Sequence, residues 1–219
     1  MSTRRFELLV FDWDGTLVDS PQHIVDSLLA ACADIGIPVP PAERARYIIG
    51  LGLKDALEYL LPDLPPSDYP RLADRYRYHF LAGDAKVVPF AGVREGIATL
   101  NASGFLLGVA TGKSRRGLDR SLQDTGLATL FHVSRCADEG FPKPHPQMLQ
   151  VLMEQLNVPP ERTLMIGDTT HDLEMARNAG VPALAVSYGA HAVGELARLE
   201  PLACAGSFHE VIGWLEANA

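Results

Sequence analysis

Short apolar runs alternate with amphipathic stretches along most of this 219-residue chain. Residues 8–11, 106–111, 163–166 and 183–187 have the length and apolar content of buried parallel strands. A weaker strand-like piece covers 86–88. Helical patterns fall between them: 92–103 precedes the second strand, 114–125 follows it, and 146–157 precedes the third. Residues 170–179 come after the third strand and are closed by Gly180 and then Pro182, the usual order at a helix end. Ser207 with Glu210 three positions on makes a capping box for a last helix. The alternation predicts an α/β fold, a doubly wound parallel sheet with a Rossmann-like core. Binding residues then belong at the carboxyl ends of the strands.

One stretch breaks the rhythm. Residues 20–85 hold no clear strand, although a crossover needs only about a dozen residues. A helix starting near Pro21 lines up Ile24, Leu28, Cys32 and Ile35 on one face and stops at Gly36. Further helices are expected at 41–48, 53–61 and 67–81, the last two separated by Pro62, Pro65 and Pro66. The pattern predicts a helical cap over 20–85, inserted into a core made of 1–19 and 86–219. Two short linkers, near 17–21 and 84–89, would serve as hinges for a lid.

Net charge is −8 and no run of Lys or Arg occurs, which argues against a nucleic-acid partner. Cys32, Cys136 and Cys204 are far apart and form no CxxC pair, so zinc and a disulfide framework are not expected. No apolar run approaches the roughly 20 residues of a membrane helix, and the first residues do not resemble a signal peptide. The expectation is a cytoplasmic protein without membrane or nucleic-acid partners.

Four polar groups follow candidate strands. Phe11-Asp12-Trp13-Asp14-Gly15-Thr16 places two carboxylates at a strand end, with a glycine that permits a tight turn. Thr111-Gly112-Lys113 offers a hydroxyl and backbone N–H groups ahead of a helix, a setting that suits phosphate oxygens. Pro142-Lys143-Pro144-His145-Pro146 is a rigid loop carrying a lysine. Gly167-Asp168-Thr169-Thr170-His171-Asp172 brings a second acid pair, its last member in the first turn of a helix, where an anion is favoured. Each group alone has an ordinary reading as a turn, a helix cap or a solvated lysine.

Taken together, in the order acid pair, Thr, Lys, acid pair, they resemble the four motifs of the haloacid dehalogenase-like hydrolases. The insertion after the first motif is similar to that family's small helical cap. The wording Phe-Asp-x-Asp-Gly-Thr-Leu-Val-Asp-Ser and Pro-Lys-Pro-His-Pro resembles the phosphoglycolate phosphatase-like members. The resemblance implies a magnesium-dependent phosphatase acting on a small phosphorylated metabolite, phosphoglycolate among the candidates. Asp12 would be the nucleophile and Asp14 the acid and then the base. Asp12, Asp168 and the backbone carbonyl of Asp14 would hold Mg2+. Thr111 and the Gly112 N–H would bind the phosphoryl group, with Lys143 neutralising it. Asp172 would orient Lys143 or a metal-bound water, and Thr16 would orient Asp14. Ionised Asp12, Asp168 and Asp172 balance one magnesium plus Lys143, which fits a protonated Asp14 at the start.

Departures narrow the expectation. Asp14 speaks against carbon–halogen and phosphonate chemistry, whose relatives lack a second Asp there. Many relatives carry Asn where this chain has Gly112. A mutase of the β-phosphoglucomutase kind carries a cap histidine twelve residues after the nucleophile, where this chain has Ile24, with His23 beside it. A phosphoacceptor regulator would place its acceptor on a third strand and would lack the insertion. His23, His145 and His171 are expected on helix surfaces or loops, and Trp13 is expected to pack away from the metal. Gly50-Leu51-Gly52-Leu53-Lys54 is either a loop dipping toward substrate or a plain turn.

Overall fold

A computed structural model of the chain describes residues 4–83 and 87–219. Six strands, β1 (Leu8–Phe11), β2 (Leu106–Thr111), β3 (Val133–Cys136), β4 (Thr163–Gly167), β5 (Ala183–Val186) and β6 (Cys204–Ala205), form one sheet. Their order is β3-β2-β1-β4-β5-β6, and every pairing is parallel. The chain leaves β1 for β2 on one side and later crosses to β4 on the other. The crevice of such a sheet opens at that reversal, beyond the carboxyl end of β1.

The period of two along β1 explains both layers. Leu9 and Phe11 join Leu107, Val109, Leu164 and Ile166 on one face, covered by α5 (Val93–Ala102), α6 (Arg115–Thr125) and α10 (Phe208–Asn218). Leu8 and Val10 join Ala110 and Met165 on the other, covered by α7 (Gln147–Leu156) and α8 (Thr170–Ala179). A side chain such as Leu8, fully buried, contributes about 1.5–3 kcal/mol. A short α9 (Val193–Ala197) packs Leu196 against Leu173 and Ala185.

Between β1 and α5 stand four helices: α1 (Pro21–Ile35), α2 (Ala42–Tyr47), α3 (Leu53–Leu60) and α4 (Tyr69–Gly83). They bury a cluster of their own, with Leu28, Cys32, Ala45, Leu57 and Leu72 at its centre. Gly36 closes α1 in the left-handed conformation, its N–H satisfying carbonyls of the last turn, as glycine does at that position. The strand-like piece expected at 86–88 is not a strand where it can be followed. Residue 86 lies outside the described residues, as do the expected boundary at 85/86 and the first part, 84–86, of the hinge expected at 84–89. Val87 and Val88 are non-helical and non-strand. Instead Val18 and Pro89 make an isolated antiparallel bridge, with Asp19 N–H donating to Val88 O at 2.9 Å and Phe90 N–H to Leu17 O at 3.0 Å. Among the described residues no helix is long and apolar enough to cross a membrane.

Candidate active site

The four polar groups read from the sequence converge where the sheet reverses. Asp12 continues the β1 ladder by donating its N–H to Ile166 O at 2.9 Å. Its carboxylate is buried, 1% exposed. Oδ1 accepts from Lys143 Nζ at 2.7 Å, while Oδ2 is buried with no partner. Lys143, expected to be an ordinary loop lysine when taken alone, is buried as well. Its ammonium also sits 2.6 Å from Asp172 Oδ1. Asp172 is fixed from the far side by Thr169, whose N–H and hydroxyl both donate to Oδ2, at 3.0 and 2.7 Å. A reciprocal box at the start of α8 thus aims a carboxylate at the lysine.

Asp168 ends β4. Its Oδ1 accepts from the Thr16 hydroxyl at 2.7 Å and its Oδ2 from the Ala190 N–H at 2.7 Å. The expectation that Thr16 orients Asp14 is therefore corrected. The turn at Gly15, with φ of 85°, carries Thr16 over toward β4, and the Tyr188 hydroxyl pins the Thr16 carbonyl at 2.9 Å. A Cβ at Gly15 would run into the Asp168 carboxylate. Glycine is required here on both counts, conformation and close approach. Asp14 is held instead by two groups not named among the expected site residues. The Ser20 hydroxyl donates to Asp14 Oδ1 at 2.7 Å, and Lys113 Nζ lies 3.0 Å from the same oxygen.

Carboxylate oxygens of Asp12, Asp168 and Asp172 lie within 4.8 Å of one another. Burial pushes Asp12 well above its usual range, more than the nearby Lys143 ammonium lowers it. Burial, aided by Asp172, pushes Asp168 up to about 7. Burial alone would lower Lys143, but Asp12 and Asp172 outweigh it and raise it. Three acids so placed repel unless a cation or a proton separates them. The unpartnered Asp12 oxygen and the all-oxygen donor set fit a hard divalent cation such as magnesium.

Thr111 is buried at the end of β2, next to β1, and its Oγ1 accepts the Lys113 N–H at 3.2 Å. Over Gly112 lies the segment at 50–52, a turn directly before α3 that also descends onto the second motif. A Cβ on Gly112 would stand 2.7 Å from Gly50 O and closer still to Leu51 O. A Cβ at Gly50 would stand 3.1 Å from Thr169 Oγ1, and one at Gly52 would stand 3.5 Å from Pro142 Cβ. The segment therefore runs close over the second, third and fourth motifs together.

Histidine expectations divide. His145 is exposed, as expected. His171 is buried, against expectation, because the insertion sits on it. Its Nε2 meets Tyr47 O at 2.9 Å, and His191 Nε2 meets the same carbonyl at 3.0 Å. His23 Nε2 meets Phe80 O at 2.8 Å, while Ile24 is packed in the helical core. Trp13 is buried in the core under α6, donating to Ser121 Oγ at 2.8 Å. Arg115 is engaged by Glu139, Ser134 and Asp119. Sequence reasoning missed Ser20, Lys113, Tyr188 and His191 as site neighbours. Two of them carried a signal: Lys113 by its place directly after Thr111-Gly112, and Ser20 as the last residue of the first motif's wording.

The haloacid dehalogenase-like hydrolase profile matches residues 9–186. A Dickeya dadantii protein named "Probable phosphatase IndB" is 38% identical over 213 residues, spanning 94% of this chain and 92% of that one. A phosphoglycolate phosphatase of Agrobacterium fabrum is 31% identical, with 83% of this chain and 81% of that one covered. In fold, a hydrolase from Pseudomonas syringae superposes with a TM-score of 0.89 at 21% identity, covering 97% of this chain and 98% of the other. Profile, relatives and fold agree with the convergence of the four motifs, and the chain belongs to the haloacid dehalogenase-like hydrolase family.

Proposed function

We propose that this chain is a magnesium-dependent phosphatase that hydrolyses a small phosphate ester through an aspartyl-phosphate on Asp12. The observation that carries the reading is the asymmetry of Asp12: one oxygen is pinned by Lys143 and the other is buried without a partner. A carboxylate in that condition is oriented and under-coordinated, as a nucleophile beside a cation must be. Asp12, Asp168 and the backbone carbonyl of Asp14 would hold the magnesium, with Asp172 in the same cluster. The ion would neutralise phosphate charge and align the phosphoryl group for in-line attack.

The chain's own residues do the rest. Asp12 forms a bond to phosphorus as the bond to the leaving oxygen breaks, and Asp14 gives that oxygen its proton. Water then attacks phosphorus, the Asp12–phosphorus bond breaks, and Asp14 takes the proton back. Thr111 and the Gly112 N–H hold phosphoryl oxygens, and Lys143 balances their charge. Residues 20–85 act as the cap and 1–19 with 86–219 as the core, the cap excluding water during the reaction. The substrate is a small phosphorylated metabolite, with phosphoglycolate a candidate given its role in the Agrobacterium relative's name. Three free thiols fit a reducing, cytoplasmic setting. Ile24 in the cap core and His23 engaged with Phe80 favour hydrolysis over mutase chemistry.

The test uses p-nitrophenyl phosphate. Hydrolysis should need magnesium, stop on chelation and be poorly supported by calcium. Asp12→Asn should form no phosphoenzyme. Asp14→Asn should release about one nitrophenolate per site in a burst and then stall, because this leaving group departs without a proton and nothing activates water. Full activity in excess chelator, or a burst surviving Asp12→Asn, sinks the reading.

A further inference from the structure

Lys113 is a cation beside the reacting carboxylates to which the mechanism above gives no task. It is a lysine whose side chain is 13% exposed, with Nζ 3.0 Å from Asp14 Oδ1. The same ammonium stands over the ring of Phe80, 4.7 Å from its centroid. Phe80 belongs to α4, and its carbonyl is engaged by His23 from α1. The lysine therefore lies between the Asp14 carboxylate of the core and an aromatic side chain of the helical insertion.

That position differs from the position of Lys143. Lys143 is sandwiched by Asp12 and Asp172, on the side where the phosphoryl group is held. Asp14 marks the other side, because the group it protonates is the departing oxygen. Whatever is attached to that oxygen lies under the insertion and beside Lys113. Arg115, the next cation along the chain, is already engaged by Glu139 through two hydrogen bonds of 3.0 and 2.9 Å. A lysine ammonium has three donors. An aromatic face attracts it but accepts no strong charge-assisted bond. Asp14 is the carboxylate paired with it among the described residues, so donors remain for an incoming anion.

We infer that Lys113 is a specificity residue that receives an anionic group on the leaving half of the substrate. The inference rests on the phosphatase reading and deepens it. The leaving oxygen sits one hydrogen bond, about 2.8 Å, from Asp14, and Lys113 is 3.0 Å beyond the same carboxylate. A charge two or three bonds from the bridging oxygen meets that span. The substrate class is thus a phosphate ester or anhydride whose leaving group carries a nearby carboxylate or second phosphate. A neutral sugar or alcohol as leaving group would bring nothing to the ammonium.

Two esters of matched length provide the test: 2-phosphoglycolate, with a carboxylate, and 2-hydroxyethyl phosphate, with a hydroxymethyl in its place. For the wild-type enzyme, kcat/KM should favour the carboxylate by about 10- to 100-fold, the worth of one charge-assisted hydrogen bond. In Lys113→Met the ratio should fall to about one or below, and Lys113→Arg should restore part of it. A general disturbance of Asp14 or of folding lowers both esters alike and leaves the ratio where it was, so an unchanged ratio overturns the inference. Equal use of both esters by the wild type overturns it too. Calorimetric binding of both esters to Asp12→Asn, with and without Lys113→Met, reads the same ratio without turnover. An enzyme that binds the carboxylate ester through Lys113 yet hydrolyses neither ester refutes the phosphatase reading and leaves Lys113 as the anion receptor.

Discussion

Gly112 shows how much a single missing methyl decides. The insertion's carbonyls at Gly50 and Leu51 rest where its Cβ would be, so any side chain there must lift the loop. The backbone at Gly112 is not in the positive-φ region, and alanine fits its conformation. The clash is with backbone carbonyls, which cannot swing aside as a side chain can, so Gly112→Ala should also lower the melting temperature, by roughly 2–4 °C for each 1 kcal/mol of lost docking. Turnover of a small ester should fall roughly 10- to 100-fold, as an ångström of misplacement costs. Steady-state kinetics and a thermal melt check both halves, and unchanged turnover would show that the loop need not descend. Asp12, Asp14, Thr111, Lys143, Asp168 and Asp172 were legible in the sequence because each lies in a short motif at the end of an apolar run. Their partners were not. Thr16 meets Asp168 across 152 residues of chain, and a single sequence holds no local trace of such a pairing.

At the scale of elements, the strands that were legible are the apolar ones. β3 reads Val-Ser-Arg-Cys, with three of its four residues only partly buried, and β6 has two residues. Edge strands so short and polar show neither a continuous apolar run nor a clean alternation. The five-residue α9 was not foreseen. The longer helices, with caps and a longer period, were found to within a residue or two. Their docking was not. Tyr47 ends α2, and its carbonyl, an orphan of that helix end, accepts from His171 and His191. Thr170 N–H donates to His191 Nδ1 at 3.0 Å, which leaves the proton on Nε2 for the Tyr47 carbonyl. The Tyr47 ring stacks on His191, 5.1 Å between centroids. Burial holds both imidazoles below the usual histidine value, so they stay neutral donors. His191→Ala should speed amide exchange in residues 48–53 by roughly tenfold, the worth of about 1.4 kcal/mol of lost docking. Hydrogen exchange with mass spectrometry measures it, and unaltered exchange there would remove the two histidines from the docking account.

For the whole molecule, the acid cluster sets how pH and metal act on stability. Asp168 moves from the ordinary 3.8 to about 7 in the folded chain, through burial and then Asp172. Between those values the native state keeps a proton that the unfolded chain has released. The stabilisation from this group is therefore lost as pH rises through about 7. Magnesium held at the cluster, as proposed, would act in the opposite sense. At pH 8 it would meet an ionised Asp168, whereas at pH 6 it would have to displace a proton. Saturating magnesium should raise the melting temperature more at pH 8 than at pH 6, by roughly 2–4 °C for each 1 kcal/mol of linked binding. Thermal melts at both pH values, with and without the metal, settle it. A larger gain at pH 6 would mean that the cluster is not what the ion binds.

The bridge between Val18 and Pro89, with its flanking bonds from Asp19 and Phe90, has a consequence for descent. The two segments of the neck run side by side there, and the bundle beyond them buries an apolar cluster whose one buried member from the core, among the described residues, is Ala190. A piece attached so narrowly is a cassette. Evolution can exchange or reshape it without disturbing the strand ends where Asp12, Thr111 and Asp168 stand. One hydrolytic chassis can then acquire new clients by trading what hangs from its neck, while the chemistry beneath is inherited intact.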